Sequence, residues 1–200
     1  MQLAISTATA ACSVALLDGN EICGEQHIVV GRGHAERLIP MIAALPGNGR
    51  ADHIFVDCGP GSFTGVRVGL AAARALALAW KIPLSGFSTM ALIAAGFDGD
   101  SETLGVAIQG GHGEFFVQDF KRTPLSPCSA LASLPPGAAS LFTNGDVILG
   151  SAADRLISER GSGRAFDALP RAADVRLLPA ALRSLPANPI YGRRPDAIPA

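Results

Sequence analysis

No two of the four cysteines, at positions 12, 23, 58 and 128, stand in a Cys-x-x-Cys spacing. That excludes a zinc knuckle and a thioredoxin-like motif, and the scattered cysteines read as buried, reduced thiols. Charge is scarce as well: 16% of the 200 residues are Asp, Glu, Lys or Arg, and the net charge is −1. So neutral a chain has little electrostatic drive toward nonspecific nucleic-acid binding. The opening, Met1-Gln2-Leu3-Ala4-Ile5-Ser6-Thr7, lacks a basic leader and a long apolar run, so no signal peptide is expected. The one segment that resembles a membrane span, residues 66–80, reads as too short and contains Arg67 and Arg74. The expectation is a soluble, cytoplasmic protein. The small charge is uneven. Residues 1–150 hold 8 basic and 12 acidic side chains, a net of −4, and residues 151–200 hold 8 and 5, a net of +3. The basic tail reads as a solvated surface.

What is present centres on Cys58-Gly59-Pro60-Gly61-Ser62-Phe63-Thr64-Gly65-Val66-Arg67. Ile54-Phe55-Val56 leads in and an Ala- and Leu-rich run to Trp80 leads out, which reads as strand, glycine turn, helix. Gly59, Pro60, Gly61, Ser62, Thr64 and Gly65 form the structural turn. Glycine takes positive φ at little cost, proline fixes its own φ, and Ser62 or Thr64 can cap the helix. Three common chemistries fail on residue identity. No lysine follows Gly65, so this is not a Walker A loop; Thr64 takes the third glycine's place in a dinucleotide fingerprint; Pro60 takes a required glycine's place in a nucleophile elbow.

The rest of the chain falls into order around that turn. Residues 2–6, 12–17 and 21–30 read as a three-stranded meander, with a hairpin signal at Asp18-Gly19-Asn20. His34 to Leu45 reads as a helix with Leu38, Met41, Ile42 and Leu45 on one face and Pro40 inside it. A strand is expected at 53–57, a short strand between Pro83 and Gly86, and a short helix from Ser88 to Ala95. Asp98-Gly99-Asp100 reads as a boundary dividing the chain into 1–97 and 98–200. Beyond it come strands at 104–108 and 114–120, a loop at 123–137, a strand at 141–143, and weak helices at 151–159 and 178–185. Strand, small-residue turn, strand echoes the opening meander. The pattern predicts an α/β fold of two ribonuclease-H-like lobes in the actin-like ATPase architecture. Its mixed sheets are flanked by helices, and its second lobe is reduced.

The helix after the turn is small or apolar almost all round. Arg67 and Arg74, seven apart, share a face with Val66 and Leu70. That stripe reads as a surface for another protein, paired with the 34–45 helix. A helical metal pair at His34 would need a second histidine at position 38, where Leu38 stands. His112 reads as an exposed turn histidine. Asp57, closing a strand beside the turn, is the best acid candidate. Its simpler role is to accept hydrogen bonds from turn amides.

Several segments together resemble the bacterial TsaB (YeaZ) family. They are Leu3 to Thr9 with Cys12 to Leu16, Gly33-His34-Ala35-Glu36-Arg37-Leu38-Ile39-Pro40, the run from Gly59 to Gly69, and the tail Pro189-Ile190-Tyr191-Gly192-Arg193. The resemblance is dense over residues 1–95, thin from 100 to 185, and returns at the tail. It implies a two-lobed actin-like fold and a role in forming N6-threonylcarbamoyladenosine at position 37 of ANN-decoding tRNAs. It implies a subunit that is not an enzyme on its own but an essential partner of the threonylcarbamoyl transferase. A small ATPase joins the assembly, tRNA is engaged indirectly, and the chain pairs with itself when alone. ATP and metal then belong to the partners, and no catalytic, cofactor or metal residue falls on this chain. The expected interface comprises His34, Arg37, Leu38, Met41, Val66, Arg67, Leu70, Ala73 and Arg74. Two departures stand out: Ser6 replaces an Asp usual after the first strand, and Gln109-Gly110-Gly111-His112-Gly113-Glu114 replaces Asp-Ala-Arg-x-Gly-Glu. The alternative reading is an actin-like ATP-binding enzyme or an M22-type peptidase.

Overall fold

The structure, a computed structural model, describes residues 1–192. Alternating small and branched apolar residues build the opening meander, β1 (Gln2–Ser6), β2 (Ala11–Asp18) and β3 (Glu21–Val29). Asp18 pairs with Glu21 across a two-residue loop in which Gly19 has φ 59°. Helix α1 (His34–Ala43) follows, buried along His34, Leu38, Met41 and Ile42, with Pro40 on its solvent side. Next come β4 (His53–Asp57), α2 (Phe63–Trp80), β5 (Leu84–Phe87) and α3 (Thr89–Ala95). Strands β1, β4 and β5 run parallel, and the first sheet has the order β3-β2-β1-β4-β5.

The second sheet repeats this plan. Strands β6 (Thr103–Gln109) and β7 (Phe115–Arg122) are antiparallel, and β8 (Leu125–Pro127) and β9 (Ala132–Leu134) both pair with β7. After α4 (Pro136–Phe142), β10 (Val147–Leu149) runs parallel to β6. After α5 (Ala153–Arg160), β11 (Arg164–Phe166) runs parallel to β10. The order β8-β7-β6-β10-β11 is that of the first sheet, strand for strand. The second lobe is reduced in strand length rather than number, since four of its strands have three residues each.

Several expectations for the second half need correction. The loop expected at 123–137 contains β8, β9 and the start of α4. The strand expected at 141–143 is the last turn of α4: Pro135 and Pro136 open the helix where a proline's missing N–H costs nothing. The helix expected at 178–185 is a 3-10 turn at Ala180–Leu182, preceded by another at Ala172–Leu177. Strands β10 and β11 were not anticipated, because three residues carry too little periodicity to read.

Three cores result. Helices α1 and α2 cover one face of the first sheet, with Leu38, Met41, Ile42, Val66, Leu70, Ala73 and Ala77 against Leu3, Ile5, Val14, Leu16, Ile54 and Val56. Helix α3 and Ala172–Leu178 fill the space between the two sheets. Helices α4 and α5 cover the far face of the second sheet. The chain therefore returns to the first sheet late: the Ala172 amide donates to Ser13 Oγ at 2.9 Å, and Leu185 forms an antiparallel bridge with Gly86 of β5.

The start of α2 is seated directly on the β1–β2 turn. Ser62 caps the helix by accepting from the Gly65 amide at 3.2 Å, its own amide donates to the Ala8 carbonyl at 2.7 Å, and Thr7 Oγ1 donates to the Gly65 carbonyl at 2.7 Å. A Cβ at Gly61 would collide with the Ala8 carbonyl and one at Gly65 with the Thr7 carbonyl. The 63–80 helix has 18 residues, long and apolar enough by composition to cross a bilayer, rather than the shorter span read from Val66. One of its faces is built into the first core. Gly65→Ala should cost about 3 kcal/mol by forcing the two carbonyl-lined segments apart. The melting temperature should fall by about 6–12 °C in a thermal denaturation measurement.

Candidate functional site

Two surfaces meet at α2. The first is a cleft of about 1020 Å³ between the sheets. Its walls are the β1–β2 turn, the start of α2, the β6–β7 turn and Pro189 to Gly192, and its lining includes Phe63, Arg67, Gln109, His112, Glu114, Phe116 and Tyr191. In a doubly lobed fold of this kind the facing turns are where a phosphate chain would lie. The polar side chains of the first turn are engaged within the chain. Its Ala8 carbonyl already accepts from the Ser62 amide, its Thr7 hydroxyl is committed to Gly65, and the Ser6 hydroxyl turns away to Asp57. Of the opening amides of α2, that of Gly65 is capped by Ser62 Oγ, and the hydroxyls of Ser6 and Thr7 are committed within the chain. In the second turn the Gln109 amide donates to Ser151 Oγ at 3.1 Å, Glu114 Oε2 accepts from Ser133 at 2.6 Å, and His112 is exposed at φ 57°.

Asp57 sits beneath this turn, 1% exposed. It accepts from the Ser6 hydroxyl at 2.6 Å, the Thr89 hydroxyl at 2.6 Å and the Gly59 amide at 2.9 Å. The simpler role anticipated for it, turn-amide acceptor, is the one it takes, extended to tie β1 and α3 to the end of β4. Burial pushes its carboxyl up to about 6, against the lowering effect of its three donors.

The second surface is the outer side of α1 and α2. Here the expected interface divides. His34, Leu38, Met41, Val66, Leu70 and Ala73 are buried in this chain's own first core and present nothing outward. The reason is geometric: the residues with the clearest helical periodicity are those that face the chain's own sheet. The His34 ring donates from Nε2 to the Thr9 carbonyl at 2.9 Å, with the Ala11 carbonyl at 3.3 Å, stapling α1 to the β1–β2 turn. Leu38 fills the core where a metal pair's second histidine would stand. Arg37, Arg67 and Arg74 are exposed. Two of these have partners that the helix pattern did not reveal. Arg74 donates to the Ala187 carbonyl at 2.6 Å and to Asn188 Oδ1 at 3.2 Å, and Arg67 donates to the Tyr191 hydroxyl at 3.3 Å while lying over the Phe63 ring. The tail signature Pro189-x-Tyr191 was the available signal; its Arg193 lies outside the described residues. Beside these arginines, α1 exposes Ala35, Glu36, Ile39, Pro40 and Ala43, and α2 exposes Phe63, Thr64, Ala71, Ala75, Leu78 and Ala79, most of them small or apolar. Among the described residues no three His, Cys, Asp or Glu side chains converge as a metal site.

A family model described as TsaD, tRNA N6-adenosine threonylcarbamoyltransferase, matches residues 28–124. An uncharacterised protein of Mycobacterium tuberculosis is 32% identical over 98% of this chain and 93% of its own length. The tRNA threonylcarbamoyladenosine biosynthesis protein TsaB of Escherichia coli is 36% identical over 60% of this chain and 54% of its own. A Pseudomonas aeruginosa crystal structure described as similar to peptidase YeaZ superposes with a TM-score of 0.82 at 29% identity, covering 96% of this chain and 99% of that one. The chain belongs to the TsaB (YeaZ) family. A second Pseudomonas aeruginosa structure, titled YeaZ, superposes with a TM-score of 0.76. The two mixed sheets with their shared strand order are the actin-like pair expected of a TsaB-type chain.

The buried carboxyl gives a pH signature. The Asp57 group is raised from 3.8 to about 6 on folding, so folding favours its protonated form. Its stabilising contribution is fullest below pH 3.8 and is lost as pH rises to about 6. Asp57→Asn, neutral throughout, should therefore gain melting temperature relative to the natural chain between pH 4 and pH 6 and hold a constant offset above that. Melting curves at unit pH steps from 4 to 8 check this.

Proposed function

We propose that this chain is the noncatalytic partner subunit of a threonylcarbamoyl transferase, acting in the formation of N6-threonylcarbamoyladenosine at position 37 of ANN-decoding tRNAs. The outer face of α1 and α2 carries this reading. It combines small and apolar residues with Arg37, Arg67 and Arg74, and its exposed Ala71 and Ala75 let another helix approach closely. The match of residues 28–124 to the transferase family supplies the occupant. A related chain offers the same two helices, so the two proteins pair face to face about a pseudo-two-fold axis, as in an isologous contact. Without the transferase, a second copy of this chain takes its place. The small ATPase joins the assembly, tRNA is engaged indirectly, and ATP and metal are held by the partner subunits.

A second reading, an actin-like ATP-binding enzyme or an M22-type peptidase, draws on the 1020 Å³ cleft. Ser6 and Thr7, whose hydroxyls are committed to Asp57 and Gly65, argue against side-chain contacts to a phosphate there. Calorimetry with ATP and Mg²⁺ on the isolated chain separates the readings, and micromolar binding would favour the enzyme.

The decisive substitutions lie on the exposed face. Ala71→Glu and Ala75→Glu should weaken co-purification with the transferase at least tenfold while the melting temperature stays within a few degrees. Binding retained by both folded variants would sink the interface. Leu70→Glu, by contrast, puts a charge at a site 2% exposed and should unfold the chain.

A further inference from the structure

We infer that Leu185–Gly192 is a clasp, a segment able to detach while the two lobes stay folded, which closes the mouth of the cleft and covers Cys58. This stands apart from the partner reading and rests on a contrast in burial. No residue from Leu185 to Gly192 is itself fully buried. What lies beneath is: Cys58 is 0% exposed, and Pro60 is also buried. The Cys58 thiol lies 3.7 Å from the Pro186 carbonyl, and burial is the main cause that pushes it up to about 12.

The attachments are few and mostly at the surface. Two main-chain bonds join Leu185 to Gly86, the Gly86 amide to the Leu185 carbonyl at 2.7 Å and the Leu185 amide to the Gly86 carbonyl at 3.0 Å. A third runs from the Ile190 amide to the Cys58 carbonyl at 2.8 Å. The side-chain hydrogen bonds, Arg74 on Ala187 and Asn188 and Arg67 on Tyr191, are all solvent-exposed, and the apolar holds are the half-buried Ala187 and Ile190 against the first core and Tyr191 beside the Phe63 ring. Exposed hydrogen bonds compete with water, and a segment with little buried apolar surface opens at a lower free energy than the core. The segment also spans the lobes. It starts on the edge of β5, runs along the flank of α2, and ends where a Cβ at Gly192 would strike Phe116 of β7. Releasing it removes the cleft wall formed by Pro189 to Gly192 and frees the half-buried Phe116.

The four free cysteines provide the readout. Cys128 is exposed, Cys23 is half-buried, and Cys12 is buried in the first core away from the clasp. Iodoacetamide labelling of the whole chain, resolved for each cysteine by peptide mass spectrometry, is compared between the natural protein and Arg67→Ala/Arg74→Ala. The expected result is Cys58 labelled at least tenfold faster in the variant, with Cys12 unchanged. Unchanged labelling of Cys58 overturns the clasp. If the variant loses its fold, shown by Cys12 reacting as well, hydrogen exchange on the natural protein decides instead. Amides of Gly86 and Ile190 exchanging well before those of β1 and β4 support the clasp, and exchange in step with those strands overturns it.

Discussion

The seating of α2 on the β1–β2 turn is the constraint from which the other features follow. The approach is so close that Gly61 and Gly65 stand directly against the carbonyls of Ala8 and Thr7. Any side chain at those positions would lift the helix. Lifting it would open the first core, loosen the Asp57 cluster that ties β1 and α3 to the end of β4, and reshape the cleft wall. The same closeness brings the Ser62 amide onto the Ala8 carbonyl and the Thr7 hydroxyl onto the Gly65 carbonyl. The turn thus holds geometry where related architectures could hold a ligand. This explains how a glycine-rich strand–turn–helix unit can lack every phosphate motif and still dictate the arrangement around it.

Much of the first lobe was legible in the residues. The meander, the 34–45 helix, the helix ending at Trp80, the Ser62 cap and the strand at 53–57 all follow from periodicity and turn chemistry. Apart from the helix expected at 151–159, which is α5, the second half was legible only to the end of β7. Beyond it, three-residue strands and a helix opening on Pro135-Pro136-Gly137 leave no period to count. The site was less legible than the fold. Periodicity finds the face a helix buries, so Leu70 and Ala73 looked distinctive because they belong to the chain's own core. The outward face of Ala71 and Ala75 is distinguished by what it lacks. Arg67 and Arg74 were correctly placed together on one flank, but their partners lie more than a hundred residues on.

The two sheets share one strand order, yet the lobes have diverged in what surrounds that order. The first has strands of four to nine residues and an 18-residue helix with an apolar outer face. The second has shortened its outer strands to three residues and keeps short helices. Together the two lobes complete the shared core around α3.

The late return of the chain to the first sheet also bears on how the protein is made. Ala172–Leu177 fills part of the core between the sheets, and Leu185 completes the edge of β5. Both are synthesised long after the strands they cover. A growing chain can therefore assemble the first sheet and its α1–α2 core on the ribosome, but the opposite face of that sheet stays exposed until the segment around residue 172 has emerged. Translation order makes this inner face the surface most in need of shielding in the newborn chain.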